Sequence, residues 1–438
     1  LPYNTANENK LKTPLFTETF GSLRIPAYRP FFGALLGHMA CVNMQMVARS
    51  WFIYELTSRA SLLGAVALAH ALPMLTLSLF GGVLADRVKK KNVLIVGQLC
   101  MTLVALGIAL SITIGVITWI HLIVAAFLQG IIMSLVMPSR QAIIPELVDE
   151  QLLMNAISIN AATMNLLRLL APAFSGFLIA LWNIEGVYYI MTALYFMSFL
   201  FTLHIPHTHK SIHFHQSSAL RDISDGFRYL KKNTTVFSIL IFTLIVTFFS
   251  MPYFYLLPIY TKDIMTLSLD DLGGLIALPL VGNLIATLTE SSARLGLLVS
   301  MSGFGAFAGS LWVASRPNKH RGLYYLLSSL LLSGCLILFS ITSAYLFALI
   351  IFIPLGLGQA GRMSLSNTLV QSYTDSTYRG RMMSLYMMEW GITSFGVFFI
   401  GILAEFIGVQ WAVGGGAVIL MAATLYYLGF TSHIRSLD

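Results

Sequence analysis

The chain has 438 residues, of which 57% are hydrophobic and only 10% charged, with a mean hydropathy of +0.79. A soluble fold of that size could not cover its surface with polar groups, so lipid has to be its main solvent. The formal charge of +8 comes from bases lying between apolar runs, in neither a groove nor a helical stripe, which sets nucleic acid aside as a partner.

Residues 1–30 carry charges and prolines rather than a compact apolar stretch, and read as a cytoplasmic tail instead of a cleaved signal peptide. A bilayer crossing needs roughly 20 apolar residues. On that basis twelve spans are expected, at 31–55, 60–84, 92–116, 118–138, 153–182, 186–205, 235–260, 293–315, 323–342, 344–371, 384–407 and 410–430. The segment 272–287 is short and holds Gly and Pro, so the outer-loop insertion 264–292 is read as interfacial or re-entrant. With the amino terminus inside, 20 of the 26 Lys and Arg residues fall in inner segments, Arg140 among them. The outer loops hold only Arg59, Lys262 and Arg294, so the positive-inside rule puts both termini in the cytoplasm.

Similar features recur at a nearly constant offset: Gly81 with Gly309, Gln129-Gly130 with Gly358-Gln359, and Leu147-Val148-Asp149 with Tyr373-Thr374-Asp375. The expected fold is an all-α membrane protein with twelve transmembrane helices in two parallel six-helix repeats, 31–205 and 235–431. Between them, 206–234 forms a cytoplasmic linker with an amphipathic helix over 219–232, and 432–438 is a terminal tail. His207, His209, His213 and His215 fall in this linker without Cys or carboxylate partners, so no metal site and no cofactor are expected. Neither a His-Glu-x-x-His pair nor an activated serine motif is present, which argues against an enzyme. Cys41, Cys100 and Cys335 lie inside apolar runs and offer no disulfide framework.

Ionisable groups at bilayer depth are costly and turn toward protein or water. His38, Gln45 and Arg49 share one face of the first span, Asn165 and Arg168 one face of the fifth, and Gln359, Arg362 and Ser366 one face of the tenth. Gln129 lies in the fourth span, and Glu389 is the intramembrane carboxylate of the eleventh. Arg362 and Glu389 lie at depths that allow a pair, whereas no carboxylate stands near Arg49 or Arg168. These residues are candidates for substrate or coupling contact, and the unpaired guanidiniums favour an anionic or zwitterionic amphiphile. For His38 and His70 an interhelical hydrogen bond is the better reading.

The loop Gly82-Val83-Leu84-Ala85-Asp86-Arg87-Val88-Lys89-Lys90-Lys91 after the second span resembles the signature of the major facilitator superfamily of secondary transporters. Gln45, 51–57, Pro138 to Val148 and Arg379-Gly380-Arg381 are similar to its drug and siderophore exporter branch, which includes the enterobactin exporter. The resemblance implies alternating access in the cytoplasmic (inner) membrane and a conformational latch at Gly82, Asp86, Arg87, Lys90 and Lys91. In that latch Asp86 meets the amino-terminal end of the eleventh helix, where the dipole favours an anion. It further implies export of small drug- or siderophore-like amphiphiles by a monomer surrounded by lipid, with H+ or Na+ as candidate coupling ions. A lipid or lysolipid carrier, or a transport-inactive receptor or scaffold, would share the fold. Lys89 stands where the family has Gly, Ala126 where proton-coupled exporters have Arg, and Ala171-Pro172-Ala173-Phe174-Ser175-Gly176 replaces the antiporter Gly-Pro-x-x-Gly-Gly. Coupling through that Arg is thereby set aside.

Overall fold

The structure is a computed structural model. It describes residues 21–87, 89–206, 226, 228–265, 290–316, 319–375 and 378–437, without the side chains at 78–87, 384, 390, 432 and 433. Among the described residues, eleven helical elements are long and apolar enough to cross a membrane. They are α1 (Tyr28–Thr57), α2 (Ala60–Arg87), α3 (Lys90–Thr113), α4 (Trp119–Leu147), α5 (Glu150–Leu203), α6 (Thr234–Ile264), α7 (Ser291–Ala314), α8 (Arg321–Ile341), α9 (Tyr345–Ser372), α10 (Arg379–Ile407) and α11 (Val409–Phe430).

The 54 residues of α5 would extend about 80 Å as one rod, against a hydrocarbon thickness of about 30 Å. It is in fact two helices meeting at Asn183, whose φ of 61° and ψ of 172° break the helical path. The expected fifth and sixth spans, 153–182 and 186–205, fall on these two pieces. Where water reaches the connections, side chains take over the unpaired backbone groups. Thr118 and His121 form a reciprocal cap on α4, and the Asn233 side chain accepts from the Val236 amide at 3.1 Å to start α6.

Two bases counted as loop residues belong to helices. α4 runs through Pro138 and Pro145 to Leu147, which places Arg140 inside the helix at 7% exposure. A proline stops an isolated helix but is tolerated in a packed membrane helix, where neighbours satisfy the freed carbonyls. Arg294 sits in the first turn of α7, buried, with Nη1 donating to the Met265 carbonyl at 2.5 Å. One base leaves each side, so the charge bias survives. The 272–287 segment, the histidines of 207–215 and residues 219–225 of the expected amphipathic helix lie outside the described residues.

Packing between α1–α5 and α6–α11 runs chiefly along the α5–α7 and α2–α10 seams. In lipid there is no hydrophobic drive between helices, and close backbone approach through small residues supplies the contact energy. A Cβ on Gly176 of α5 would stand 2.4 Å from the Ser292 carbonyl oxygen of α7, and one on Gly64 of α2 would stand 2.5 Å from Cα of Phe398 in α10. The Ser300 hydroxyl seals the same α5–α7 seam by donating to the Leu169 carbonyl at 2.7 Å.

Candidate functional site

In the second group of helices the charged centre is compact. Arg362 on α9 is fully buried, and its Nη2 lies 2.8 Å from Oε1 of Glu389 on α10. The Thr247 hydroxyl of α6 donates to that same oxygen at 2.7 Å while accepting from Arg362 Nη1 at 3.2 Å. Three helices are thus tied through one carboxylate oxygen. The contact of Nη2 is one of charge rather than an aligned hydrogen bond, and Nε of Arg362 has no acceptor. The Tyr386 and Ser366 hydroxyls stand 2.9 Å apart beside the pair. A buried pair of this kind holds its helices in one arrangement and releases them if the carboxylate is neutralised.

The first group is built differently. Arg49 on α1 bonds the Gln129 side-chain oxygen of α4, and the phenols of Tyr188, Tyr195 and Tyr255 lie around its guanidinium. No carboxylate is among them. His38 bonds Gln98 of α3 at 3.1 Å and packs edge-on against Tyr195, with ring centroids 5.6 Å apart, while His70 bonds the Ala126 carbonyl at 3.2 Å. Both histidines therefore make the interhelical bonds expected of them. Gln45 is buried at 8% exposure on α1, and the Gln359 amide reaches the Met251 sulfur at 3.6 Å.

At the Thr57 end the two groups are fastened together. Tyr54 bonds Asp263, Lys262 pairs with Glu55 at 2.7 Å, the Ser61 hydroxyl donates to Glu405 at 2.6 Å, and Trp51 donates to Ser291 at 3.2 Å. Farther along the same seam α5 and α7 still touch, a Cβ on Gly303 standing 3.0 Å from Cα of Leu169. Asn165 and Arg168 are exposed there on α5, and Phe307 and Leu311 are 48% and 56% exposed on α7. Arg168 has no acidic partner among the described residues. An exposed guanidinium with exposed aromatic and aliphatic side chains on the neighbouring helix has the chemistry to take a molecule with an acidic head and an apolar body.

The structure thus unites Arg362 with Glu389 and Arg49 with Gln129, and leaves Asn165 and Arg168 exposed on α5. In the expected latch, Lys90 pairs with Glu146 across α3 and α4 and Lys91 is half-buried, while the side chains of Gly82, Asp86 and Arg87 lie outside those described. Sequence reading missed Thr247, Tyr188, Tyr195 and the buried position of Arg140. Hydroxyls in apolar runs look like packing residues, and only the opposing helix reveals their role.

Residues 31–395 match the family model described as Major Facilitator Superfamily. The staphyloferrin A transporter of Staphylococcus aureus is 24% identical over 391 residues, covering 87% of this chain and 91% of the relative. The enterobactin exporter EntS of Shigella boydii is 26% identical over 286 residues, covering 64% and 68%. A solved peptide transporter POT in complex with sulfate superposes with a TM-score of 0.70 at 13% identity, over 95% of this chain and 99% of that one. The helical fold, the span of the family match and these relatives agree, and the chain belongs to the Major Facilitator Superfamily, as a multi-pass transporter of the plasma membrane.

Proposed function

We propose that this protein is a twelve-crossing secondary transporter of the efflux type, which moves small amphiphiles bearing an anionic or zwitterionic group by alternating access. The count of twelve takes α5 as two crossings divided at Asn183. With both termini in the cytoplasm, the fastened Thr57 end faces outward, which is the arrangement of a state closed to the outside. Siderophore transport and export by relatives over most of the chain favour export of acidic, chelator-like compounds.

Arg168 carries this reading. A guanidinium exposed in mid-helix, with no acid beside it among the described residues, is held ready for an anion supplied from outside the protein. Asn165 lies one turn away and adds a neutral donor. The Arg362–Glu389–Thr247 centre serves as the coupling element, because neutralising Glu389 by a cation would free Arg362 and loosen three helices together. The bases and Asp86 of the α2–α3 connection act as the inner latch, engaged when the inward cleft closes.

The test compares thermal stabilisation of purified protein by matched anionic and cationic amphiphiles. Native protein is expected to favour the anion, and Arg168→Gln is expected to weaken its binding by about 10-fold or more, the worth of one charged hydrogen bond. Stronger stabilisation by the cation, unaltered by Arg168→Gln, refutes the assignment. A phospholipid-like zwitterion stabilising above all others would turn the reading toward a lipid carrier.

A further inference from the structure

The segment that leads into α6 is fastened to the start of α10 by one tyrosine. Residues 228–232 are helical, and the Tyr229 ring stacks on that of Tyr378, with centroids 4.5 Å apart and planes 16° from parallel. The Tyr229 hydroxyl accepts from the Asp375 backbone amide at 3.2 Å and from the Asn233 side-chain amide at 3.0 Å, and that side chain also reaches the Tyr373 carbonyl at 3.4 Å. Gly226, three residues earlier on the same helical face, lies so close to α10 that a Cβ there would stand 3.2 Å from Cε of Met382. The first group repeats the arrangement. The Ser22 amide donates to the Asn155 side chain at 3.0 Å and the Tyr28 hydroxyl to Asn160 at 2.7 Å, fastening the segment that leads into α1 to the start of α5.

What the second strap holds is not a continuous rod. α10 consists of Arg379–Met387 and Glu389–Ile407, divided at Met388, whose ψ of −13° departs from the roughly −42° of a regular helix. Across the division the Met388 amide donates to the Leu385 carbonyl at 3.1 Å and the Gly391 amide to the Met388 carbonyl at 3.0 Å, steps of three residues of the kind found at hinges. The first piece is also held against α9 by the Tyr386 hydroxyl, which meets Ser366 at 2.9 Å and the Met363 carbonyl at 3.3 Å. Glu389 is the first residue beyond the division, so the stance of its carboxylate toward Arg362 and Thr247 follows the angle of the piece before it. We propose that Tyr229 is a positioning residue for the Arg362–Glu389–Thr247 centre: through Tyr378 it fixes the Arg379–Met387 piece, and through Met388 that piece fixes Glu389. With that centre as the coupling element of the transport reading above, the linker sets how readily coupling is released.

The full chain, purified in detergent without substrate, is followed by amide hydrogen exchange and by melting. Tyr229→Ala should speed exchange over residues 379–387 by about 10-fold or more, because the strap no longer holds that piece. It should also lower the melting temperature by about 2 °C, for the stacked pair and the two hydrogen bonds lost. The readout that a merely local fastening would not move is the same substitution made in Glu389→Gln. There the centre is already released, so the further drop should be less than half as large, whereas independent sites would add in full. Tyr229→Phe keeps the stack and should rescue most of both effects. Tyr378→Leu removes the stack from the other side, and decides the matter if Tyr229→Ala does not fold. Unaltered exchange over 379–387, equal drops in the native and Glu389→Gln backgrounds, or a Tyr229→Phe variant as impaired as Tyr229→Ala would each overturn the assignment. No substrate enters these measurements, so their failure leaves the transport reading intact, while flux unaffected by Glu389→Gln would remove the coupling role of the centre even if the strap holds.

Discussion

Substituting the two members of the Arg362–Glu389 pair, singly and together, tests whether the centre of the second helix group works as one unit. Arg362 is fully buried and Glu389 is 8% exposed, so removing either charge leaves the other without a partner in a low-dielectric interior. Breaking a buried pair in that way costs about 3–5 kcal/mol. Glu389→Gln keeps an acceptor for Thr247 and should lie at the lower end. Arg362→Gln leaves a buried carboxylate with no counter-charge, held by neutral hydroxyls such as Thr247, 2.7 Å away, and should lie at the upper end. The unfolding entropy is about 2 cal/mol/K per residue, so for 438 residues each 1 kcal/mol lowers the melting temperature by roughly 1 °C. Single variants should therefore melt about 3–5 °C below the native protein in a fluorescence scan. The double variant buries no charge and should recover most of that loss. Single variants within about 1 °C of native, or a double variant that loses the sum of the two, would contradict the coupled centre.

Asp86→Asn should leave expression and melting temperature nearly unchanged while cutting transport about 10-fold or more, as measured in proteoliposomes, because a state-dependent contact with a helix terminus is lost and not core packing; undiminished transport would remove the latch. Single cysteines at Ser268 and Ser315 in a cysteine-free background should label from opposite sides of the membrane, and labelling from one side would mean that 272–287 crosses. Gly176→Leu places a side chain where a Cβ already lies 2.4 Å from the Ser292 carbonyl oxygen, so the Thr57 end should open. Accessibility of a cysteine at Ser50 from outside should then rise at least about 5-fold, and an unchanged rate would mean that this seam is not the outer gate.

Span positions were legible because lipid on one side and apolar helices on the other give runs with no interior polar face. The ends of α1, α2 and α11 fall within a few residues of the expected limits. Arg140 was misread because a Pro-Ser-Arg stretch looks like a turn when the helices that shelter it are unseen. Glu389 and Arg362 could be paired from depth alone, since each is the rare charge of its run and one turn of error still leaves them in reach. The oxygen that joins them to Thr247 could not be foreseen. A threonine in an apolar helix most often bonds its own backbone, as Thr243 does to Ile239 at 2.8 Å, and only helix rotation decides otherwise. The fastening at the Thr57 end was equally hidden. Tyr54 and Asp263, or Ser61 and Glu405, are distant in sequence and carry no pattern, and they meet only once α1 lies against α6 and α2 against α10.

The most direct test of the account is flux. Purified protein is reconstituted into proteoliposomes, and transport of a labelled anionic amphiphile of the siderophore class is followed beside that of a matched lipophilic cation. The account predicts saturable movement of the anion, reduced about 10-fold or more by Arg168→Gln in protein that still melts at the native temperature. Protein-independent leakage alone, or carriage of the cation at a rate that Arg168→Gln does not change, would contradict it.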